Sequence, residues 1–99
     1  MNIVEENIDQ INTLCSKHKV AKMYVFGSVL TNRFEENSDI DFIVDFDDVE
    51  LSGYADNYFD LKFALEKIFN RNVDILENKA IRNPFFRKSI NSSKKLVYG

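Results

Sequence analysis

The chain has 99 residues, a net charge of −3, and only one cysteine, one histidine and one proline. This length predicts one domain over residues 1–99, with a modest core and no room for a second lobe. The lone cysteine excludes an internal disulfide framework and indicates a reducing cytoplasm, and a zinc site is implausible with one cysteine and one histidine. No membrane association is expected, because no apolar run approaches membrane-spanning length and no signal-peptide pattern opens the chain.

Hydrophobic periodicity predicts alternating helices and strands along the chain. In order, the predicted elements are a helix at 3–18, a strand at 20–26, a helical turn at 29–33, a strand at 40–47, a helix at 53–69, a strand at 72–77 and a helix at 84–92. A core-facing stripe recurs in the long helix at spacings of four and three: Tyr54, Tyr58, Leu61, Leu65 and Ile68. Cys15 lies on the apolar face of the first helix, which favours core packing over catalysis.

A glycine–serine pair and a pair of aspartates are separated by a short stretch of sequence. The first predicted strand ends at Gly27 and Ser28, and ten residues later the second begins with Asp39, Ile40 and Asp41. Because side chains alternate along a strand, Asp39 and Asp41 point to one face while Ile40 points to the other.

These residue types together suit phosphate chemistry. Two neighbouring carboxylates repel each other, which raises the pKa of at least one of them, and a divalent cation such as Mg²⁺ removes that penalty. Gly27 lacks a Cβ, so that the backbone can approach a ligand, and the Ser28 hydroxyl and amide suit a phosphate oxygen. Metal-assisted phosphoryl or nucleotidyl transfer needs such a combination.

The predicted topology brings a third carboxylate to the same place. A helix of about sixteen residues joins the second and third strands, which implies a parallel crossover and sets Asp74 level with Asp41. The short connection after the first strand makes it antiparallel to the second, so the expected mixed sheet has the order 1-2-3. Asp45 and Asp47 lie roughly 13 Å or more from Asp41 along the second strand, at about 3.3 Å per residue. This distance makes them poor ligands for the ion that Asp41 would bind.

With these residues the chain resembles the nucleotidyltransferase superfamily that includes polymerase β. It is most similar to the minimal nucleotidyltransferases, the small partners of HEPN-domain proteins, whose G-S-x10-D-x-D signature is matched by Gly27, Ser28, Asp39 and Asp41. The resemblance covers nearly the whole chain and also rests on the strand at 73–76, on Asn83-Pro84-Phe85 and on a basic tail.

One departure from the family pattern concerns the residues after Ser28. Many relatives read G-S-x-A-R-G, whereas Leu30, Thr31 and Asn32 stand here and Arg33 is displaced by two positions. In the family pattern the arginine of that motif implies a contact with a phosphate. Because Arg33 stands two positions away, this contact is not assigned to it here.

The resemblance implies a polymerase β-like nucleotidyltransferase fold of the α/β (α+β) class, with a small mixed sheet packed with helices. It also implies that Asp39 and Asp41 bind two Mg²⁺ ions holding ATP or another nucleoside triphosphate. Asp74 shares one ion and helps to deprotonate or orient the attacking hydroxyl, while Gly27 and Ser28 hold the β and γ phosphates. The implied catalytic and metal-binding set is Asp39, Asp41 and Asp74.

Three functions remain open from the sequence. The first is an antitoxin that nucleotidylates a HEPN-type RNase toxin, by adenylylation of a protein hydroxyl. The second is a non-catalytic antitoxin that masks the toxin by binding, and the third is a nucleotidyltransferase acting on a small molecule. The intact motif favours the first over the second, and the absence of room to enclose a small acceptor disfavours the third. A homo-oligomer is compatible with each.

Charge is divided along the chain. The sixteen acidic residues all lie at or before Glu77, and residues 79–99 carry six basic residues and no acidic one. The net acidity makes direct nucleic-acid binding unexpected. The basic segment is a solvated helix face, or it docks an acidic partner, folds back on the acidic body or reaches nucleotide phosphates.

Two short apolar sequences lie in this basic segment. Phe85 and Phe86 are adjacent, so one is expected to pack on the body and the other to anchor a partner, flanked by Arg87 and Lys88. The residues at 96–98 are expected either to form a short edge strand or to dock in an interface.

Overall fold

The computed structural model describes residues 2–27 and 38–99. Its helices are α1 (Ile3–Glu6), α2 (Ile8–Lys17), α3 (Leu51–Phe69) and α4 (Pro84–Ser93), its strands are β1 (Val20–Phe26), β2 (Ile40–Phe46), β3 (Val73–Glu77) and β4 (Lys95–Tyr98), and a 3-10 turn spans Asn78–Ala80. The helical turn predicted at 29–33 falls outside these residues. Among the helices of the two described ranges, none is long and apolar enough to cross a membrane.

The four strands form one mixed sheet in the order β3-β2-β1-β4. As predicted, β1 is antiparallel to β2, and β2 is parallel to β3 across the α3 crossover. The expected order 1-2-3 is therefore present but incomplete, since β4 pairs antiparallel with the outer edge of β1. Of the two alternatives for residues 96–98, the edge strand is the one found, because β1 would otherwise present unpaired backbone groups there.

One face of the sheet packs against α2 and α3 to form the main core. Its buried members alternate along the strands and recur on the helices: Ile11, Cys15, Met23, Val25, Ile40, Phe42, Val44, Leu61, Leu65, Phe69, Val73 and Ile75. Tyr58 and Ile68 are partly buried against this cluster. The predicted α3 stripe is confirmed except at Tyr54, which is not part of this cluster and contacts the Phe46 ring instead. Cys15 is a core residue whose pKa is raised by burial to about 12.

The opposite face of the sheet carries α4. Tyr24 and Phe26 alternate with the core residues of β1, and they are contacted by Lys94, which follows α4, and by Phe86 of α4. The rings of Phe26 and Phe86 meet edge to face with centroids 6.2 Å apart, and Lys94 Nζ lies 4.3 Å from the centre of the Tyr24 ring. Ile90 of α4 is fully buried although it lies outside the main core. This second apolar contact attaches α4 to the face that also bears the candidate carboxylates.

The single helix predicted at 3–18 is interrupted at Asn7. Asn2 caps α1 by accepting from the amides of Val4 and Glu5 at 3.0 Å each. The Asn7 side chain donates to the Ile3 carbonyl at 2.9 Å, and its backbone leaves the helical region at φ −115° and ψ 21°. Asparagine interrupts the helix here because its amide competes with the backbone for local hydrogen bonds.

The outer edge of β3 is covered by side chains of α3. Glu66 Oε2 accepts from the Val73 amide at 3.1 Å, Lys62 Nζ donates to the Val73 carbonyl at 2.7 Å, and the Tyr58 hydroxyl donates to the Ile75 carbonyl at 2.6 Å. An exposed sheet edge invites pairing with other chains. These bonds occupy that edge and fix the height of β3 relative to α3.

Candidate active site

The candidate residues lie at the same end of three adjacent strands, the end of the sheet where β1 finishes and where β2 and β3 begin. In the register of the sheet, Phe26 faces Asp41 across β1 and β2, and Asp41 faces Asp74 across β2 and β3. Neighbouring strands lie about 4.8 Å apart, so the backbones of Asp41 and Asp74 are separated by one such spacing. Gly27 follows Phe26 directly, which sets it beside Asp41, where the topology predicted it.

Gly27 is required by its backbone and by its surroundings. Its φ is +84°, in the region that L-residues with side chains rarely adopt, and a Cβ built on it would lie 2.7 Å from Asp41 Oδ2. The Asp41 carboxylate therefore lies against the glycine backbone with no space for a methyl group between them. Sequence reasoning gave a ligand as the reason for the glycine, but the first neighbour that needs its small size is Asp41.

Burial and the neighbouring carboxylates both change the pKa of Asp41. The pKa of Asp41 is raised, first by burial, then by the negative charge of Asp74 and then by that of Asp39. Repulsion within the aspartate pair was predicted, but burial of the half-buried Asp41 side chain is the larger cause. Asp39 and Asp74 are exposed, so two solvated carboxylates flank one that is partly withdrawn from water.

The segment that carries Asp39 is tied to the turn between α3 and β3. The Ile40 amide donates to the Asn72 carbonyl at 3.1 Å, and Arg71 Nη1 donates to the Ser38 carbonyl at 3.1 Å. These bonds fix the residues on both sides of Asp39 next to the start of β3. Arg71 was missed by sequence reasoning, although a basic residue just before the Asp74 strand was a usable signal.

The turn itself depends on the way α3 ends. Asn70 follows the helix in the left-handed conformation, with φ 53° and ψ 44°, which asparagine tolerates better than most residues. The chain then reverses towards β3 within a few residues. As a result, the end of α3 determines where β3 begins and therefore where Asp74, its second residue, lies.

The donor set fits a hard divalent cation in chemistry and charge. The three carboxylates offer oxygen ligands only, and Asp41 carries an electrostatic penalty that a cation would relieve. Within residues 2–27 and 38–99, no three acidic, histidine or cysteine side chains already converge at metal-binding distances. Asp39 and Asp74 are exposed, so their side chains have space to change rotamer around Asp41. Asp39, Asp41 and Asp74 are therefore the residues that would hold such an ion.

Other predicted residues lie elsewhere. Asp45 is at the far end of β2, and its Oδ2 accepts from Asn78 Nδ2 at 3.4 Å, so it is engaged in a structural contact. Asp47 is exposed beyond the end of β2. Ser28 and Arg33 fall within 28–37, outside the described residues.

The prediction for the basic segment needs one correction. Phe85 is 83% exposed and Phe86 packs on Phe26, as expected for a pair divided between solvent and body. Arg87, in contrast, is not free to meet a partner, because it donates to Asn78 and Ile81 in the connection before α4. Sequence alone could not distinguish it from the exposed Lys88, since both follow the same phenylalanine pair.

Comparison with protein families gives one match over most of the chain. The model for the polymerase β nucleotidyltransferases matches residues 9–99. Among curated relatives, "Putative protein adenylyltransferase MJ1379" of Methanocaldococcus jannaschii is 38% identical over 85 residues, which cover 86% of this chain and 82% of the relative.

Solved structures agree with this similarity. One described as a "putative minimal nucleotidyltransferase" superposes with a TM-score of 0.76 at 26% identity, covering 96% of this chain and 95% of that one. A toxin-antitoxin with AMP-PNP shares the fold at a TM-score of 0.72 and 22% identity, over 94% of this chain and 73% of the other. A tri-AMPylated Shewanella oneidensis HEPN toxin in complex with MNT antitoxin shares the fold at a TM-score of 0.61 and 17% identity, over 97% of this chain and 72% of the other.

Proposed function

This chain belongs to the polymerase β nucleotidyltransferase family, as a minimal nucleotidyltransferase, and we propose that it transfers AMP from ATP to a hydroxyl group of a HEPN-type partner protein. The transfer would silence an RNase toxin and make this chain its antitoxin in the cytoplasm. The observation that carries the proposal is the alignment of Gly27, Asp41 and Asp74 across three neighbouring strands. Support for a protein acceptor comes from the relative named for protein adenylylation and from the fold shared with the MNT–HEPN complex.

The carboxylates divide between two roles in this proposal. Asp39 and Asp41 would hold Mg²⁺, and Asp74 would contribute to the same site. When bound, two Mg²⁺ ions neutralise the triphosphate and stabilise the attacking and leaving oxygens of an in-line displacement. The partly withdrawn position of Asp41 strengthens its attraction for a cation, because charges interact more strongly where water is displaced.

The protein's own groups position the two reactants. Gly27 allows phosphate oxygens to approach the backbone, and the Ser28 hydroxyl and amide hold the β and γ phosphates. Asp74 accepts a hydrogen bond from the acceptor hydroxyl and takes its proton as the oxygen attacks the α-phosphorus. The bond between the α-phosphorus and the bridging oxygen breaks, and pyrophosphate leaves with that electron pair. The exposed position of Asp74 on β3 leaves it accessible to a protein acceptor.

The proposal is tested by incubating the purified protein with its HEPN-type partner and ATP labelled at the α-phosphate. Labelled AMP is expected on the partner in the presence of Mg²⁺ and not in the presence of EDTA. Asp41→Asn is expected to abolish the labelling, while Asp47→Asn, an equal charge change at the exposed far end of β2, should preserve it. Equal labelling by the parent and Asp41→Asn would contradict the assigned site.

The same experiment distinguishes catalysis from masking. If the partner's RNase activity is inhibited without any labelling, and Asp41→Asn inhibits as well as the parent, the protein acts by binding alone. If inhibition persists after the two proteins are separated and requires Asp41, the inhibition is covalent. Replacing the partner with small hydroxyl-bearing acceptors tests the remaining alternative.

A further inference from the structure

A network of hydrogen bonds holds the first half of α4 against the rest of the protein. Arg87 Nη1 donates to Asn78 Oδ1, and Nη2 donates to the carbonyls of Asn78 at 2.5 Å and Ile81 at 3.2 Å. The Asn78 side chain also donates to Asp45 Oδ2 at 3.4 Å, which extends the network to β2. We call these four residues, Arg87, Asn78, Ile81 and Asp45, the Arg87 clasp. A planar guanidinium with several donors suits such a multidentate contact.

The residue next to the clasp contacts the strand that leads into the site. Phe86 packs edge to face on Phe26, with an interplanar angle of 71° and ring centroids 6.2 Å apart. Phe26 is the last residue of β1, is the register partner of Asp41 and precedes Gly27. The contact from α4 therefore meets the chain one residue before the glycine that lies against the Asp41 carboxylate.

Attachment of α4 does not depend on this contact alone. Ile90 is 1% exposed and anchors the middle of the helix, and Asn83 caps its start by accepting from the amides of Phe85 and Phe86 at 2.9 and 3.1 Å. Phe86 nevertheless remains 41% exposed, so its ring contributes only part of the burial that a core phenylalanine provides. The place of the Phe86 ring matters more than its degree of burial, because the ring contacts Phe26 directly beside the site.

We propose that Phe86, held in place by the Arg87 clasp, is a positioning residue for nucleotide binding. It restrains Phe26 and thereby fixes the orientation of the Gly27 backbone, which lies against the Asp41 carboxylate and is the backbone that phosphate oxygens would approach. The inference rests on the proposed function, since this restraint matters only if the edge binds a nucleoside triphosphate. Loss of the restraint should weaken nucleotide binding more than it slows the chemical step, because the phosphates are held in the ground state and the transition state alike.

Two pairs of neighbouring residues provide matched variants. Phe86→Ala removes the ring on Phe26, while Phe85→Ala removes an equal ring that is 83% exposed. Arg87→Gln removes the clasp, while Lys88→Gln removes a neighbouring positive charge on an exposed side chain. The measurement is the dissociation constant of a non-hydrolysable ATP analogue with Mg²⁺, together with KM and kcat for the transfer to the partner.

We expect Phe86→Ala and Arg87→Gln to weaken analogue binding and raise the KM for ATP by about tenfold, with kcat within a factor of about two, because the weakened phosphate contacts are made in the ground state and the transition state alike. Phe85→Ala and Lys88→Gln should bind the analogue as the parent does. Because both residues are candidate partner contacts, these controls are compared by analogue binding and not by transfer to the partner. The amide resonance of Gly27 should shift in the first two variants and not in the two controls. A purely structural role would lower Tm without this separation of KM from kcat.

Two results would overturn the inference. If the parent binds the analogue and both Phe86→Ala and Arg87→Gln bind it equally well, the α4 contact does not position the site. If the parent binds no analogue with Mg²⁺, the proposed function fails, and the inference fails with it. Should Phe86→Ala not fold, Phe86→Leu keeps apolar volume without the ring edge and is judged by the same measurements.

Discussion

Gly27 and Asp41 constrain each other at the centre of the site. The glycine has a left-handed backbone, and the Asp41 carboxylate occupies the space that a side chain would need. Gly27→Ala should therefore destabilise the protein by about 1–3 kcal/mol through backbone strain and displacement of the carboxylate. It should also weaken binding of Mg²⁺ with ATP, measured by titration with a non-hydrolysable analogue.

A second glycine provides the control for that substitution. Gly53 lies in the first turns of α3, and a Cβ built there meets nothing within 4 Å. Gly53→Ala should stabilise the protein by about 0.5–1 kcal/mol, because alanine is the better helix former, and should leave nucleotide binding unchanged. If the two variants have the same effect on unfolding, the close contact at Gly27 has no energetic consequence.

Replacing Asp41 by asparagine should raise the metal-free stability of the protein and lower its transfer activity. Since the pKa of Asp41 is raised in the folded state, that state holds the proton more tightly than the unfolded chain, and metal-free stability falls as the pH rises through the raised pKa. Asp41→Asn removes this penalty and should raise Tm at pH 7 without metal by roughly 1–5 °C, a modest gain because the side chain is only half-buried. Transfer activity should fall by at least about 100-fold.

The pH dependence separates this explanation from a packing effect. The stability gain of Asp41→Asn over the parent should disappear below the ordinary aspartate pKa, where both side chains are neutral, as followed by thermal unfolding from pH 7 to pH 3. A gain that is the same at every pH would exclude repulsion and burial of charge as its cause. Added Mg²⁺ should stabilise the parent and not the variant.

At the scale of elements, the outer edge of β3 depends on Glu66. Its pKa is lowered, first by the hydrogen bond from the Val73 amide and then by Lys62. A lowered folded pKa means that this stabilisation is present above the ordinary glutamate pKa and is lost as the pH falls through the lowered value. Glu66→Gln should therefore be less stable than the parent at pH 7, by less than about 1 kcal/mol for a pair close to the surface.

Thermal unfolding across the acidic range checks this prediction. The difference between Glu66→Gln and the parent should narrow as the pH falls below about 4, where the parent side chain also becomes neutral. Asp60→Asn, which removes an exposed acid from the same helix, is the control for a general loss of charge. A constant difference between Glu66→Gln and the parent would indicate lost packing rather than a lost charge.

Sequence patterns predicted the elements well where a pattern is local. Alternation and apolar runs located β1 without error and the other strands of the expected sheet to within a residue, and the crossover rule gave their directions. Asn7 broke the first helix because a side-chain hydrogen bond competed with helical periodicity. The sequence shows Arg71 and Arg87 as basic residues near the site and in the basic segment, but the carbonyls that each of them binds come near only after folding.

At the site, the sequence predicted that Gly27, Asp41 and Asp74 lie level on neighbouring strands, but not why each residue is needed. Charge repulsion at Asp41 followed from the D-x-D spacing, whereas its burial, the larger cause of the raised pKa, depends on neighbouring strands. Contact between the Gly27 backbone and Asp41 likewise requires the register of β1 and β2. Ser28 stays a prediction.

For the whole molecule, nucleotide binding should stabilise the fold by mass action. A ligand that binds only the folded state adds about 2.7 kcal/mol at a concentration 100 times its dissociation constant. In a domain of this size, that corresponds to a rise in Tm of roughly 10–20 °C. Thermal unfolding with Mg²⁺ and ATP together, compared with each alone, measures the effect. An unchanged Tm at millimolar concentrations of both would count against a competent site.

The division of charge also acts on the whole molecule. The acidic residues up to Glu77 produce a negative body, and the segment 79–99 is positive. Part of the positive segment folds back, since Arg87 binds the connection before α4 and Lys79 Nζ lies 3.7 Å from Glu77 Oε1. Lys88 is exposed, so it is the residue whose reversal tests docking of an acidic partner without breaking the Arg87 clasp.

The central claim is that Asp39, Asp41 and Asp74 form a magnesium-dependent nucleotide site at this edge of the sheet. Calorimetric titration of a non-hydrolysable ATP analogue into the parent and into the double variant Asp39→Asn/Asp41→Asn tests it most directly. We predict binding by the parent that requires Mg²⁺ and is abolished by EDTA, and no measurable binding by the folded double variant. Equal affinity with and without Mg²⁺, or equal affinity of the two proteins, would contradict the claim.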